Sequence, residues 1–149
     1  MLPETEMLLY MASRSQHTGQ WIIPALQEGK IVISDRYYDS TIAYQGAARE
    51  LDFNIIEKIT GFATYNTEPD LTFLIDLPVE LGLKRIKSRQ LDRLEMETID
   101  FHEKVREQYL KLARLYDYRF RLIDGDNLVD SIHQSILSQV NDVIMTHLT

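Results

Sequence analysis

Several short stretches of this sequence gather side chains suited to holding a phosphate that carries a flat ring. Asp35-Arg36 follows the apolar run Ile31-Val32-Ile33-Ser34 directly. A buried strand that ends in a charged pair needs a reason, because unpaired buried charge is costly. In open α/β sheets ligands bind just beyond the carboxyl ends of the strands. Two readings stand level here. In one, Arg36 grips a phosphate while Asp35 orients it or a magnesium ion on the Mg–ATP side; in the other, the two residues are an ion pair that caps the strand. The next stretch is Tyr37-Tyr38-Asp39-Ser40-Thr41-Ile42-Ala43-Tyr44-Gln45-Gly46. If it is helical from Ser40, then Thr41, Tyr44 and Gln45 share one face, and a hydroxyl, a phenol and an amide could read the edge of a nucleobase. Ser40 is also a candidate helix cap. A plain surface helix is the competing reading. Tyr10 and Arg14 lie four residues apart, so a stacking ring and a hydrogen-bonding cation meet on one helix face, although a solvated arginine beside a half-buried tyrosine is the commoner pattern.

Lys84, Arg85, Lys87, Arg89 and Arg93 place five of the chain's 16 basic residues within ten positions. Favourable charge at a helix C-terminus would explain some of this. A lid over residues 88–94, with Arg89 and Arg93 closing on phosphates, explains it better. Phosphoryl transfer needs charge neutralised on the transferring oxygens while water is excluded. The four histidines, at 17, 102, 133 and 147, show no metal-ligand spacing, and no G-x-S-x-G nucleophile elbow occurs.

The elements that must position these groups alternate between helical and strand patterns. Pro3 opens a first helix with Glu4 and Glu6 in the turn that favours negative charge, and Met7, Leu8 and Met11 follow at helical spacing. Thr18-Gly19 reads as a break. A second short helix follows, with Trp21, Ile22, Ala25 and Leu26 on one face and Gly29 as its stop. Ile31–Ser34, Leu71–Leu77 and Phe120–Ile123 read as strands buried on both faces, all parallel. Between and after them, helices are expected at about 52–64 (Ile55, Ile56, Ile59, Phe62), 78–88, 98–116 (Phe101, Val105, Leu112) and 130–148 (Ile132, Ile136, Val140, Ile144). The expectation is one α/β domain over residues 1–149, a parallel sheet flanked by helices.

The 149 residues carry 16 basic and 23 acidic side chains, a net charge of −7, with 44% hydrophobic residues and no cysteine. An acidic chain is a poor general nucleic-acid binder. Without cysteine there are no disulfides and no thiolate zinc site. No apolar run reaches the ~20 residues of a membrane span and no signal-peptide pattern follows Met1, so the expectation is a soluble, cytoplasmic protein without membrane contact. Three strands are few for an open parallel sheet. Neither G-x-x-x-x-G-K-[ST] nor G-x-G-x-x-G occurs, and the six glycines are scattered singly.

The run Asp35-Arg36-Tyr37-Tyr38-Asp39-Ser40-Thr41-Ile42-Ala43-Tyr44-Gln45-Gly46 resembles the D-R-[YFH]-x-x-S-x-x-A-Y-Q-G signature of bacterial thymidylate kinases. Three further segments agree in order: Leu9-Tyr10-Met11-Ala12-Ser13-Arg14, Pro69 to Asp76, and Asp92-Arg93-Leu94-Glu95-Met96-Glu97 running on through Phe101, Val105-Arg106 and Tyr109. The resemblance covers essentially the whole chain. It implies a three-layer P-loop kinase-like sheet, and ATP-dependent phosphorylation of dTMP to dTDP with Mg2+. By position, Tyr10 would stack on thymine, Arg14 and Gln45 would hydrogen-bond it with Thr41 and Ser40 nearby, and Tyr44 would lie against the deoxyribose. Arg36 would hold the dTMP phosphate, and Arg89 and Arg93 would reach the transferring group from a lid that is short and lacks the family's glycine. The family's first strand and phosphate loop have no counterpart here, so the expectation is a fragment or misassigned reading frame of such a kinase, or a chain completed by a partner segment, that is inactive alone. The family's habit and the apolar early helices imply a homodimer. The alternatives are another nucleoside-monophosphate or nucleoside kinase, or a catalytically dead nucleotide-binding remnant.

Overall fold

The computed structural model describes residues 1–86 and 90–148. Pro at the first position and Glu4 and Glu6 in the first turn start α1 (Pro3–His17), as the sequence predicts. The expected break at Thr18-Gly19 is absent. The chain passes without interruption through a π-helical segment (Thr18–Ile22) into α2 (Ile23–Gln27). Thr18 is fully buried and its hydroxyl pairs with the Tyr37 hydroxyl at 2.9 Å, while Tyr65 packs where a Cβ on Gly19 would project. Tertiary contact, not local propensity, keeps this segment helical. The predicted apolar face is largely open: Ile22 is buried, but Trp21 and Leu26 are exposed. Gly29, at φ 72°, ends the helix as expected.

Ile31–Ser34 is not a strand. It lies outside any sheet, with Ile33 93% exposed. A strand exists only through its ladder partners, and no strand among the described residues lies beside this run. The sheet consists of β1 (Thr72–Asp76) and β2 (Phe120–Asp124), parallel, in register from Thr72 opposite Phe120 to Asp76 opposite Asp124. Their parallel pairing matches the sequence reading, and the crossover between them carries α5 (Val79–Ile86) and α6 (Ile99–Leu115). Full burial does not hold, since Ile75 and Leu122 are about half exposed.

After the Asp35-Arg36 turn, α3 (Asp39–Thr41) runs straight into a second π-helical segment (Ile42–Ala48). Ser40 sits inside this helix and caps nothing. In α4 (Phe53–Thr64), Asp52 is the cap, accepting from the backbone N–H groups of Asn54 and Ile55. The face differs from the one expected: Ile56 is buried, whereas Ile55 and Phe62 are exposed. Buried Met7, Met11, Ile42, Ile56, Ala63, Leu112 and Phe120 form the core. Phe101, Val105 and Leu112 are the buried stripe of α6, as their spacing predicts, and Thr98 caps it. In α7 (Val129–Leu148), Ile132, Ile136, Val140 and Ile144 are among the partly covered positions. Among the described residues no helix is long and apolar enough to cross a membrane.

Candidate active site

One face of α1 supplies Tyr10, Ser13, Arg14 and His17, spaced at three and four residues. Together with Ser34, Arg36 and Tyr37 from the segment before α3, they wall a cleft of about 160 Å³. Arg36 has a φ of 64°. For a residue with a Cβ this left-handed conformation costs about 1–2 kcal/mol, and such strain gathers where a side chain must be aimed. The Ser34 hydroxyl donates to the Arg36 carbonyl at 2.8 Å and braces the turn. The guanidinium of Arg36 lies 5.3 Å from the centre of the Tyr44 ring. Burial opposes its charge, while Tyr44, Tyr109 and the neighbouring Asp35 favour it and together hold the guanidinium above its ordinary value. Asp35 itself is exposed.

Arg14 lies over the Tyr37 ring at 5.3 Å and donates to Thr41 Oγ1 at 3.3 Å. Its Nε is buried and finds no hydrogen-bond partner among the described residues. Burial lowers its guanidinium below the ordinary value, against the opposing pull of Tyr37, Tyr109 and Asp39. Behind the cleft, Ser40 Oγ and the Tyr109 hydroxyl pair at 2.6 Å. Burial pushes the Tyr109 phenol up to about 12, so it stays neutral at physiological pH. The cleft therefore offers two guanidinium groups and a half-exposed ring, Tyr10, to a ligand that is anionic at one end and flat at the other.

Gln45 does not line the cleft. It is buried, and its Nε2 donates to Glu6 Oε1 at 2.7 Å. Glu6, 2% exposed, also receives Arg49 at 3.4 Å and the guanidinium of Arg93. Burial alone would raise its carboxyl. The hydrogen bonds from Gln45, Arg93 and Arg49 outweigh that and hold it below the usual carboxylate value. Thus Arg93 rests on Glu6, while Arg89 lies outside the described residues, as does the start of the expected lid. Among the described residues no three or more histidine or acidic side chains cluster as a metal site.

Sequence reasoning missed two anchors of this arrangement. Glu6 read as a helix-dipole charge and proves to be a buried hub. Arg119 went unremarked, yet it is 1% exposed and grips Asp39 through two bonds, at 2.8 and 2.9 Å. Three aromatic rings surround it, those of Tyr38, Tyr116 and Phe120, at 5.5, 4.9 and 4.7 Å. Its setting in Tyr116-Asp117-Tyr118-Arg119-Phe120, a cation among aromatics at a strand entrance, was the available signal. This pair ties the Asp35–Gly46 segment to β2.

Comparison with known proteins gives a consistent result. A family model described as thymidylate kinase matches residues 1–136. The chain is similar to the thymidylate kinase of Carboxydothermus hydrogenoformans, with 53% identity over 137 residues, 91% of this chain and 66% of that protein. The thymidylate kinase of Lactobacillus acidophilus is 46% identical over 143 residues, 94% of this chain and 66% of the relative. That of Clostridium novyi is 45% identical over 135 residues, 89% and 66%. The chain thus spans about two thirds of the length of these relatives.

Proposed function

This chain belongs to the thymidylate kinase family, and from that premise we propose that it carries the dTMP site of an enzyme that phosphorylates dTMP to dTDP with Mg–ATP. The observation that carries this reading is the cleft in which the Tyr10 ring and the Arg14 guanidinium face the strained Arg36. In this reading thymine stacks on Tyr10 and is hydrogen-bonded by Arg14, with Thr41 fixing Arg14, while Gln45, buried on Glu6, braces the helix behind rather than meeting the base. The 5′-phosphate meets Arg36, which Tyr44, Ser40 and Tyr109 support from behind, and Tyr44 lies against the deoxyribose.

Asp35 offers the hard oxygen donor that magnesium accepts, and that ion commonly takes its remaining ligands from substrate phosphates and water. Bound with ATP, the ion would neutralise charge on the phosphates; the exposed Asp35 would be its contact here. Arg93 and Arg89 would serve the transferring group, Arg93 after exchanging Glu6 for phosphate. The sheet is read as part of a three-layer P-loop kinase arrangement, with a further strand between Ile31–Ser34 and β1; the unpaired run at Ile31–Ser34 and its exposed isoleucines support this. Exposed Leu8, Leu9 and Trp21 on the early helices support a homodimer.

Calorimetric titration of the 149-residue chain with dTMP tests the reading. Arg36→Ala should weaken binding by about 1.5–3 kcal/mol, the scale of a charge-assisted hydrogen bond, and unchanged affinity would remove Arg36 from the site. Tighter binding of another nucleoside or nucleotide in competition would favour a different kinase specificity.

Turnover is a separate question, because no G-x-x-x-x-G-K-[ST] occurs in the 149 residues and donor phosphates need such a backbone cradle. This observation favours a chain that binds dTMP without turning it over. The purified chain should form no dTDP above background, and supplying a phosphate-loop segment should restore turnover. Measurable dTDP from the chain alone, sensitive to Arg93→Ala, would refute this.

A further inference from the structure

Something has to hold the left-handed turn at Arg36, because strain of this kind persists only where the surroundings over-determine it. Two clamps act on the residues that follow. Tyr37 is tied to the first helical stretch, where its hydroxyl meets Thr18 and its ring lies under the Arg14 guanidinium. Tyr38 and Asp39 are tied to a different element, through Arg119 at the entrance of β2. Four of the five N–H donors of a guanidinium are used there: two on the Asp39 carboxylate, one on the Thr72 hydroxyl of β1 and one on the Tyr38 hydroxyl. The Arg119 carbonyl accepts the Thr72 N–H at 2.8 Å, so this arginine is also fixed to the sheet by main chain. A buried ion pair is weak evidence for stability, since apolar residues of the same volume often serve as well. What a planar guanidinium adds is direction, because two parallel bonds fix the orientation of a carboxylate as well as its distance. Asp39 opens α3, and the backbone from Tyr37 to Thr41 is one closed turn, with the Ser40 N–H on the Tyr37 carbonyl at 3.2 Å and the Thr41 N–H on the Tyr38 carbonyl at 2.9 Å. A fixed Asp39 therefore fixes the direction in which the chain leaves Arg36.

We propose that Arg119 and Asp39 are remote positioning residues for Arg36: their pair holds the strained turn, and with it the aim of the Arg36 guanidinium into the cleft. The proposal rests on the reading that Arg36 meets the phosphate of the nucleotide, and it assigns to the pair the phosphate part of the affinity alone. Tyr10 and Arg14 belong to α1, which Met7 and Met11 anchor in the core, so the ring end of the cleft keeps its shape without the pair. Released from Arg119, the turn relaxes from φ 64° toward the ordinary regions that a residue with a Cβ prefers, and the guanidinium moves with it.

The test compares calorimetric affinities for dTMP and thymidine, the same ring and sugar with and without the phosphate, at a temperature where circular dichroism shows each variant folded. Asp39→Asn should lower the dTMP-to-thymidine affinity ratio by about tenfold or more, the lower end of a lost charge-assisted bond, with thymidine affinity unchanged. The double variant Asp39→Asn with Arg119→Met separates positioning from stability, and it carries the test if the single variant does not fold. It buries no charge and so regains stability, yet the tie is still missing and the ratio should stay low. In an Arg36→Ala chain the same double variant should change the ratio no further, as expected of residues that act through Arg36. A ratio unchanged in the folded variants, a ratio that recovers along with stability, or dTMP and thymidine weakened alike would overturn the proposal and leave the pair as scaffold. A wild-type chain that binds dTMP no better than thymidine would overturn the functional reading as well, so the two failures are told apart.

Discussion

Replacing Asp39 by Asn keeps the volume of the side chain and deletes its charge opposite Arg119. Both partners are buried, at 6% and 1% side-chain exposure, and two bonds of 2.8 and 2.9 Å join them. In the variant one amide oxygen keeps one bond, and an NH2 is set against guanidinium donors. Losing a charge-assisted hydrogen bond costs about 1.5–3 kcal/mol, and leaving one member of a buried pair uncompensated costs about 3–5 kcal/mol. Two features soften the loss. Glu68 Oε1 lies 3.4 Å from Arg119 Nε, though itself half exposed, and the three surrounding rings attract the cation. The expected cost is therefore near the lower bound, about 3 kcal/mol. That is a large share of the 5–15 kcal/mol typical of a domain and corresponds to a melting temperature about 6–12 °C lower. Urea denaturation followed by circular dichroism reads it directly. The cycle with Arg119→Met sharpens the test: the double variant buries no charge and should be more stable than Asp39→Asn alone. A cost below about 1 kcal/mol, or a double variant less stable than the single, would refute the view that this pair locks the signature segment to the sheet.

Two further outcomes follow from the ends of the strands. Arg106 holds the Asp76 carboxyl below its usual value, chiefly by bonds of 2.7 and 2.8 Å, with burial opposing. A lowered value means that the stabilisation is whole above the unfolded carboxyl's value of about 3.9 and fades as pH falls through the folded value. The gap in urea midpoint between wild type and Asp76→Asn should accordingly close on acidification, and a gap that widens would contradict the assignment. Gly125→Ala would set a Cβ 2.8 Å from the Asp76 carbonyl oxygen, which already accepts the Gly125 N–H at 2.7 Å. The expected cost is about 1–3 kcal/mol of stability, and a neutral variant would show that the turn has room to move.

What the sequence disclosed depended on whether the signal was local. The stripe of α6, the parallel pairing of the two strands and the cleft residues Tyr10, Arg14 and Arg36 all follow from spacing or a short motif. Ile31–Ser34 misled because an apolar run reports affinity for burial, while strand formation depends on a neighbour elsewhere. Thr18-Gly19 misled for the opposite reason, since a weak helical pair is held in a π turn by Tyr37 and Tyr65. The side-chain hydrogen-bond and ion-pair partners of Glu6 and Arg119 were illegible. Each sits dozens of residues away, and a lone glutamate or arginine looks alike whether it meets water or an ion pair.

The separation of Asp39 and Arg119 by 80 positions also bears on how the protein is made. Residues 10–37, which wall the cleft, emerge from the ribosome in one stretch and ahead of β2. Their buttress arrives with β2, later by about 4–16 s at ordinary elongation rates of 5–20 residues per second. During that interval Asp39 has no cation to face, and β1 has no strand from this sheet beside it. The nascent cleft is complete in residues long before it is fixed in place, so the last third of the chain decides when the site becomes rigid enough to hold a nucleotide.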